Sequence, residues 1–201
     1  MQIGFISRIL IIRKEKEINL NVQEQPQLVT LKGFLVQLRP LDKRTDLDIC
    51  LKWMNDPEIT QFLIVDIPTS RDEEEAWFDK QKDRANGKIF AIVTLDGNRH
   101  IGNIGLHTID HKHGTATTGT VIGEKDYWGK GYGTDAKMVL MNYAFNVLNL
   151  RRLTSEVIAF NGRSANYAQK CGYVLEGTLR QHVYVNGAYH DAFVFGALKE
   201  E

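Results

Sequence analysis

Cysteine is scarce in this chain, as are proline and any apolar run of membrane length. Only Cys50 and Cys171 are present among 201 residues. That is too few, at too wide a spacing, for a disulfide framework or a cysteine zinc site. Both read as buried thiols of a reducing compartment. An excess of one charge is missing too: 25 basic residues balance 25 acidic ones. No global field then draws the protein to nucleic acid or an anionic membrane. The most apolar stretch, Ile3 to Ile12 (IGFISRILII), is broken by Arg8 and falls short of the ~20 residues of a membrane span. Arg13 to Glu17 (RKEKE) follows where a signal peptide would need small residues. These absences predict a cytoplasmic protein. Residues 1–30 read as an N-terminal extension (an extra strand, a partner contact or a disordered segment) ahead of one domain over 31–201.

An apolar fraction of 43% supplies a proper core. Phe34 to Leu38 (FLVQL) reads as a first strand. Leu47, Cys50, Leu51 and Met54 share one helical face. Ser70-Arg-Asp-Glu73 is a capping box that opens a second helix, with Trp77 and Phe78 turned inward. Ile89 to Leu95 and His100 to His107 flank Asp96-Gly97, a hairpin signal, and Thr115 to Ile122 is a further strand. Ala136, Val139, Leu140, Tyr143, Ala144 and Val147 define one long amphipathic helix. Leu153 to Ile158 is a strand. Ser164 is placed to cap a short helix ending at Cys171-Gly172, and Asn186-Gly187 joins two closing strands. The order predicts an α+β fold with a mixed, mostly antiparallel sheet.

The chemistry-bearing stretch is DYWGKGYGTDA, Asp126 to Ala136, with glycines at 129, 131 and 133 just before the long helix. The first amides of a helix lack internal partners, and the helix dipole favours an anion there. Glycines let that anion approach the backbone, a phosphate or diphosphate being the usual guest. A P-loop is excluded, because Lys130 is followed by Gly131 rather than Ser or Thr. The dinucleotide fingerprint fails on glycine spacing and on the antiparallel strands that precede it.

Four stretches, in this order on these elements, resemble the GNAT superfamily of acetyl-CoA-dependent N-acetyltransferases, in particular its RimJ/RimL-like branch. They are Trp53-Met-Asn-Asp-Pro-Glu58, Tyr127-Trp-Gly-Lys-Gly-Tyr-Gly133, Asn161-Gly-Arg-Ser164, and Lys170-Cys-Gly-Tyr173 with Glu176-Gly177. The resemblance covers about Leu35 to Leu198. It implies a three-layer αβα fold whose sheet splays between strands 4 and 5. The pantetheine arm of acetyl-CoA would lie in that opening as an added strand, on the main chain of Val121 and Gly123 with Ile122 between. The diphosphate would sit over Trp128, Gly129, Lys130, Gly131, Tyr132, Gly133 and Thr134, and Asn161 would stand near the pantetheine arm.

The same resemblance implies direct attack of a free amine on the thioester, with no acyl-enzyme and no metal. A backbone amide near Gly123 is expected to stabilise the oxyanion. The family's usual acid, a Tyr four residues before the Gly of the Gly-aromatic pair, is replaced by Ala168. Tyr167 is one residue off, a turn of about 100 degrees, so Ser164 stands as the alternative donor. Relatives often carry a Glu where this chain has Thr118, which leaves Glu124 and His107 as candidate bases. The acceptor remains open among a protein N-terminal amine such as that of a ribosomal protein, a polyamine, an amino acid and an aminoglycoside. A homodimer and a non-catalytic CoA-binding sensor are also left open. The acidic run Asp72 to Glu75 suits a cationic acceptor, but it suits a helix N-terminus without any substrate better.

Overall fold

The computed structural model describes residues 31–65, 68–82 and 85–201. Expectations for residues 1–30 lie outside this range. Among the described residues seven strands form one sheet: β1 (Val36–Pro40), β2 (Lys88–Thr94), β3 (His100–Asp110), β4 (Thr115–Ile122), β5 (Arg152–Ile158), β6 (Val174–Val185) and β7 (Ala188–Leu198). Their spatial order is β1-β2-β3-β4-β5-β7-β6. Every pairing is antiparallel except β4 with β5. The helices are α1 (Lys43–Met54), α2 (Pro57–Thr60), α3 (Arg71–Lys82), α4 (Tyr132–Asn142) and α5 (Gly162–Lys170).

Two cores lie on opposite faces of the sheet, which gives the three layers. The larger joins Ala136, Val139, Leu140 and Ala144 behind α4 to Ile92, Ile104, Leu106, Leu153 and Phe195 of the strands. The smaller gathers Leu47, Cys50 and Trp53 of α1 with Ile59 and Phe78, and reaches Val121 at the end of β4. Alternate side chains of a strand point to opposite faces, so β4 serves both cores. Both thiols are buried, and burial drives the Cys50 pKa up to about 12.

The caps follow the sequence signals with one exchange. Ser70 and Glu73 form the reciprocal pair of a capping box: the Ser70 amide donates to Glu73 (2.7 Å) and the Glu73 amide to Ser70 Oγ (3.3 Å). At α5, however, the cap is Asn161, whose Oδ1 accepts the Ser164 amide at 3.0 Å. Ser164 therefore sits inside the first turn and does not cap it. Gly172 (φ 86) closes the same helix, its amide donating to Gln169 O and the Tyr173 amide to Ala168 O, the Schellman arrangement. The long helix is not uniform either. Tyr143–Val147 winds into a π-turn, with the Leu148 amide donating to Tyr143 O. Among the described residues no helix is long and apolar enough to cross a membrane.

Candidate active site

The sheet opens where β4 and β5 part. They pair only through Thr115↔Arg152, Ala116↔Leu153 and Thr117↔Thr154, after which β4 runs on to Ile122 and β5 to Ile158 unjoined. The Gly123 and Glu124 amides both donate to Ile101 O (2.9 and 3.1 Å). An antiparallel ladder alternates with period two, so Val121 also faces β3, and Thr120 and Ile122 face the opening. The expectation that Val121 and Gly123 offer their main chain to a ligand is corrected by this parity. It also removes the Gly123 amide as a free oxyanion donor. Gly123 is small for a different reason: a Cβ there would stand 2.0 Å from Trp53 Cδ2.

At the far end of the opening lies the glycine loop. Gly129 and Gly131 have φ of 72° and 90°, a backbone that a side chain strains. This conformation holds the run of amides out from the protein. Among the described residues no amide from Gly129 to Thr134 donates to a protein acceptor; the first to do so is Asp135, to Gly131 O at 2.9 Å. Six consecutive donors at the N-terminus of α4 form the kind of nest that binds an anion. Gly129, Lys130 and Gly131 are exposed. Asp135 anchors the turn from behind, its carboxylate accepting the amides of Phe34, Leu35 and Val36 at 2.8–3.0 Å. Tyr132 packs edge-on against Tyr127, with ring centroids 4.8 Å apart. Trp128 closes the junction between loop and opening: its Nε1 donates to Ile122 O at 2.7 Å, and the Arg163 guanidinium stacks 4.0 Å over its ring.

The three catalytic candidates fare differently. Glu124 is occupied on both oxygens, by Trp53 Nε1 (3.1 Å) and Arg99 (2.6 Å). It tethers α1 to the end of β4, and this replaces its expected role as a base. Lys125 beside it pairs with Asp56 at 2.8 Å and with Glu58. The Trp53 to Glu58 motif thus fastens the small core to the segment after β4. His107 is half-buried, and its Nε2 lies 3.1 Å from where a Cβ on Gly119 would be. That puts the ring over the first glycine of the unpaired part of β4. Ser164 is half-buried in the first turn of α5. The acidic run is spent on α3: Glu73 completes the capping box, Glu75 pairs with Lys43 and Arg71, and Glu74 is buried.

Sequence reasoning set Tyr167 aside as one residue out of place and missed Lys137. Tyr167 turns toward β4, and its hydroxyl lies 3.1 Å from Thr120 Oγ1 on the open stretch. Burial raises its pKa well above 10, so it stays protonated. Lys137, on α4, is only 1% exposed. Its Nζ donates to Thr118 Oγ1 at 2.8 Å and lies over the rings of Tyr167 (5.5 Å) and Tyr173 (5.2 Å). Thr118 is the first β4 residue beyond the last pair with β5. The only signal for Lys137 was its place beside Ala136 in the apolar face of the helix.

Residues 36–174 match the family model described as Acetyltransferase (GNAT) domain. The chain is 29% identical over 160 residues to an uncharacterized N-acetyltransferase, p20, of Bacillus licheniformis, covering 78% of this chain and 89% of that one. It is 31% identical over 157 residues to the spermidine N(1)-acetyltransferase of Escherichia coli K12, covering 78% and 82%. Among solved structures, the spermidine N-acetyltransferase of Vibrio cholerae in complex with CoA and spermine superposes with a TM-score of 0.76 at 25% identity, over 82% of this chain and 96% of that one. The splayed sheet, the amide nest at α4 and these matches agree: the chain belongs to the GNAT family of acetyltransferases.

Proposed function

We propose that this chain moves an acetyl group from acetyl-CoA to a primary amine of a polyamine. The observation that carries the reading is the opening between β4 and β5 running into six amides at the start of α4 that donate to no protein acceptor among the described residues. The diphosphate lies over Trp128 to Thr134, with Lys130 adding charge. The pantetheine arm follows the edge at Ile122 and Thr120, past Asn161. The polyamine is favoured over a protein N-terminus because two of the similar proteins act on or bind polyamines by name.

The step needs a neutral nitrogen. Its lone pair forms an N–C bond to the acyl carbon, and the tetrahedral intermediate then breaks its C–S bond, the electron pair leaving on sulfur. We assign His107, over Gly119, to take the surplus proton from nitrogen, directly or through water. Tyr167, kept protonated by burial, returns a proton to the sulfur, with Ser164 the next hydroxyl along α5. The test is thiol release from acetyl-CoA with spermidine, spermine, a peptide bearing a ribosomal-protein N-terminus and an aminoglycoside, with product masses measured. Monoacetylated polyamine is expected. Release only with the peptide moves the acceptor to a protein terminus, and no release with any amine removes the reading.

A further inference from the structure

Lys137 is a cation in a place that disfavours cations. No carboxylate faces it among the described residues; the titratable groups around it are Tyr167 of α5, and Cys171 and Tyr173 just after that helix. Its oxygen partner, Thr118, is saturated. Thr118 Oγ1 donates to Thr154 O at 3.2 Å, so it accepts from Lys137 and from the Tyr173 hydroxyl at 3.1 Å. One hydroxyl has one proton and two lone pairs, and these three contacts use all of them. Two ammonium protons remain toward aromatic faces, a stabilising but incomplete substitute for water.

Burying an unpaired ammonium costs stability, and packing alone would be served better by Leu or Met. The site of this cost is the apex of the β4–β5 opening, two residues along β4 from Thr120. We propose that Lys137 is a positioning residue for acetyl transfer: its ammonium, held on Thr118, makes the floor of the opening positive. That floor steadies the negative charge that builds on the acyl oxygen and then on the departing sulfur. The ground-state thioester is neutral, so the charge acts mainly on the transition state. The inference rests on the acetyl-transfer reading and deepens it. Burial lowers the Lys137 pKa to about 8, so the cation is present below that pH and lost above it.

The experiment follows thiol release against pH for the wild-type protein, Lys137→Met and Thr118→Val, with whichever amine is turned over. It adds titration of the thiol of bound CoA. The acceptor's own ionisation is common to all three proteins. The wild-type rate, divided by the fraction of acceptor that is neutral at each pH, is expected to fall as pH rises through about 8. In Lys137→Met, kcat drops roughly tenfold while the KM for acetyl-CoA stays within about twofold. The fall near this pH disappears, and the bound thiol becomes about tenfold harder to ionise. Thr118→Val keeps the lysine but removes its oxygen acceptor, so the fall moves to lower pH. A folded Lys137→Met protein with wild-type kcat and pH profile overturns the assignment. If neither variant folds, a wild-type profile without the fall overturns it equally. Wild-type protein that binds CoA but acetylates no amine removes the acetyl-transfer reading, and this role goes with it.

Discussion

Gly123 sits where two demands meet, since the Trp53 indole lies against its Cα and its amide must reach β3. A methyl at that position would stand 2.0–2.3 Å from three indole atoms. Trp53 is fully buried and donates to Glu124, so it has nowhere to retreat. Gly123→Ala is expected to destabilise by about 2–3 kcal/mol through overpacking, read as a lower urea midpoint. Tyr167→Phe is the complementary case. It keeps the ring over Lys137 and removes only the hydroxyl near Thr120. Stability should change little, while kcat falls on the order of 100-fold if the phenol is the acid. The KM for acetyl-CoA should be unchanged in the same assay; a kcat within about twofold of wild type would pass the proton-donor role to Ser164.

The elements were largely legible because their signals are local. A capping box, an Asn186-Gly187 turn with both φ positive, and glycines before a helix each act within a few residues. What escaped the sequence was parity and rotation. Whether Gly123 or Ile122 faces the open edge depends on the register of β4 against β3, fixed by the Gly123 amide on Ile101 O, and one residue of register reverses the answer. Tyr167 reaches Thr120 because α5 is rolled against β4, and the roll of a helix is a property of its packing. Asn161 rather than Ser164 caps α5 because either residue type satisfies the cap and the backbone decides. The loop itself gives a prediction at this scale. Gly131→Ala meets only Leu35 Cδ1 at 3.6 Å, yet φ is 90°, so the cost is backbone strain of about 1 kcal/mol. Relief of that strain turns amides away from the nest. CoA affinity measured by calorimetry should fall more than stability does. Gly162→Ala serves as the stability control, with nothing within 4 Å and no positive φ.

For the whole molecule, the pH dependence of stability sets Lys137 against the buried acids. Its folded pKa, about 8, lies below the ordinary lysine value of 10.5, so between these values the unfolded chain binds more protons. Stability must then rise with pH from about 8. Cys50, Cys171 and Tyr173 act in the opposite sense, since burial raises each of them, Cys50 and Tyr173 to about 12. Above their unfolded values, beginning near 8.5 for a thiol, the unfolded chain releases protons that the folded one retains. Stability then falls. The two trends cross, and wild-type stability should show a shallow maximum near pH ~9. Lys137→Met removes only the rising limb. The variant should be more stable than wild type at neutral pH, by on the order of 1–3 kcal/mol. That advantage should shrink as the pH is raised and the wild-type lysine loses its proton. Urea unfolding of both proteins across this range isolates the lysine by difference, because the thiols and phenols are common to both. A protein that gains stability and loses turnover from one substitution would mark Lys137 as a charge retained for the reaction at the expense of the fold.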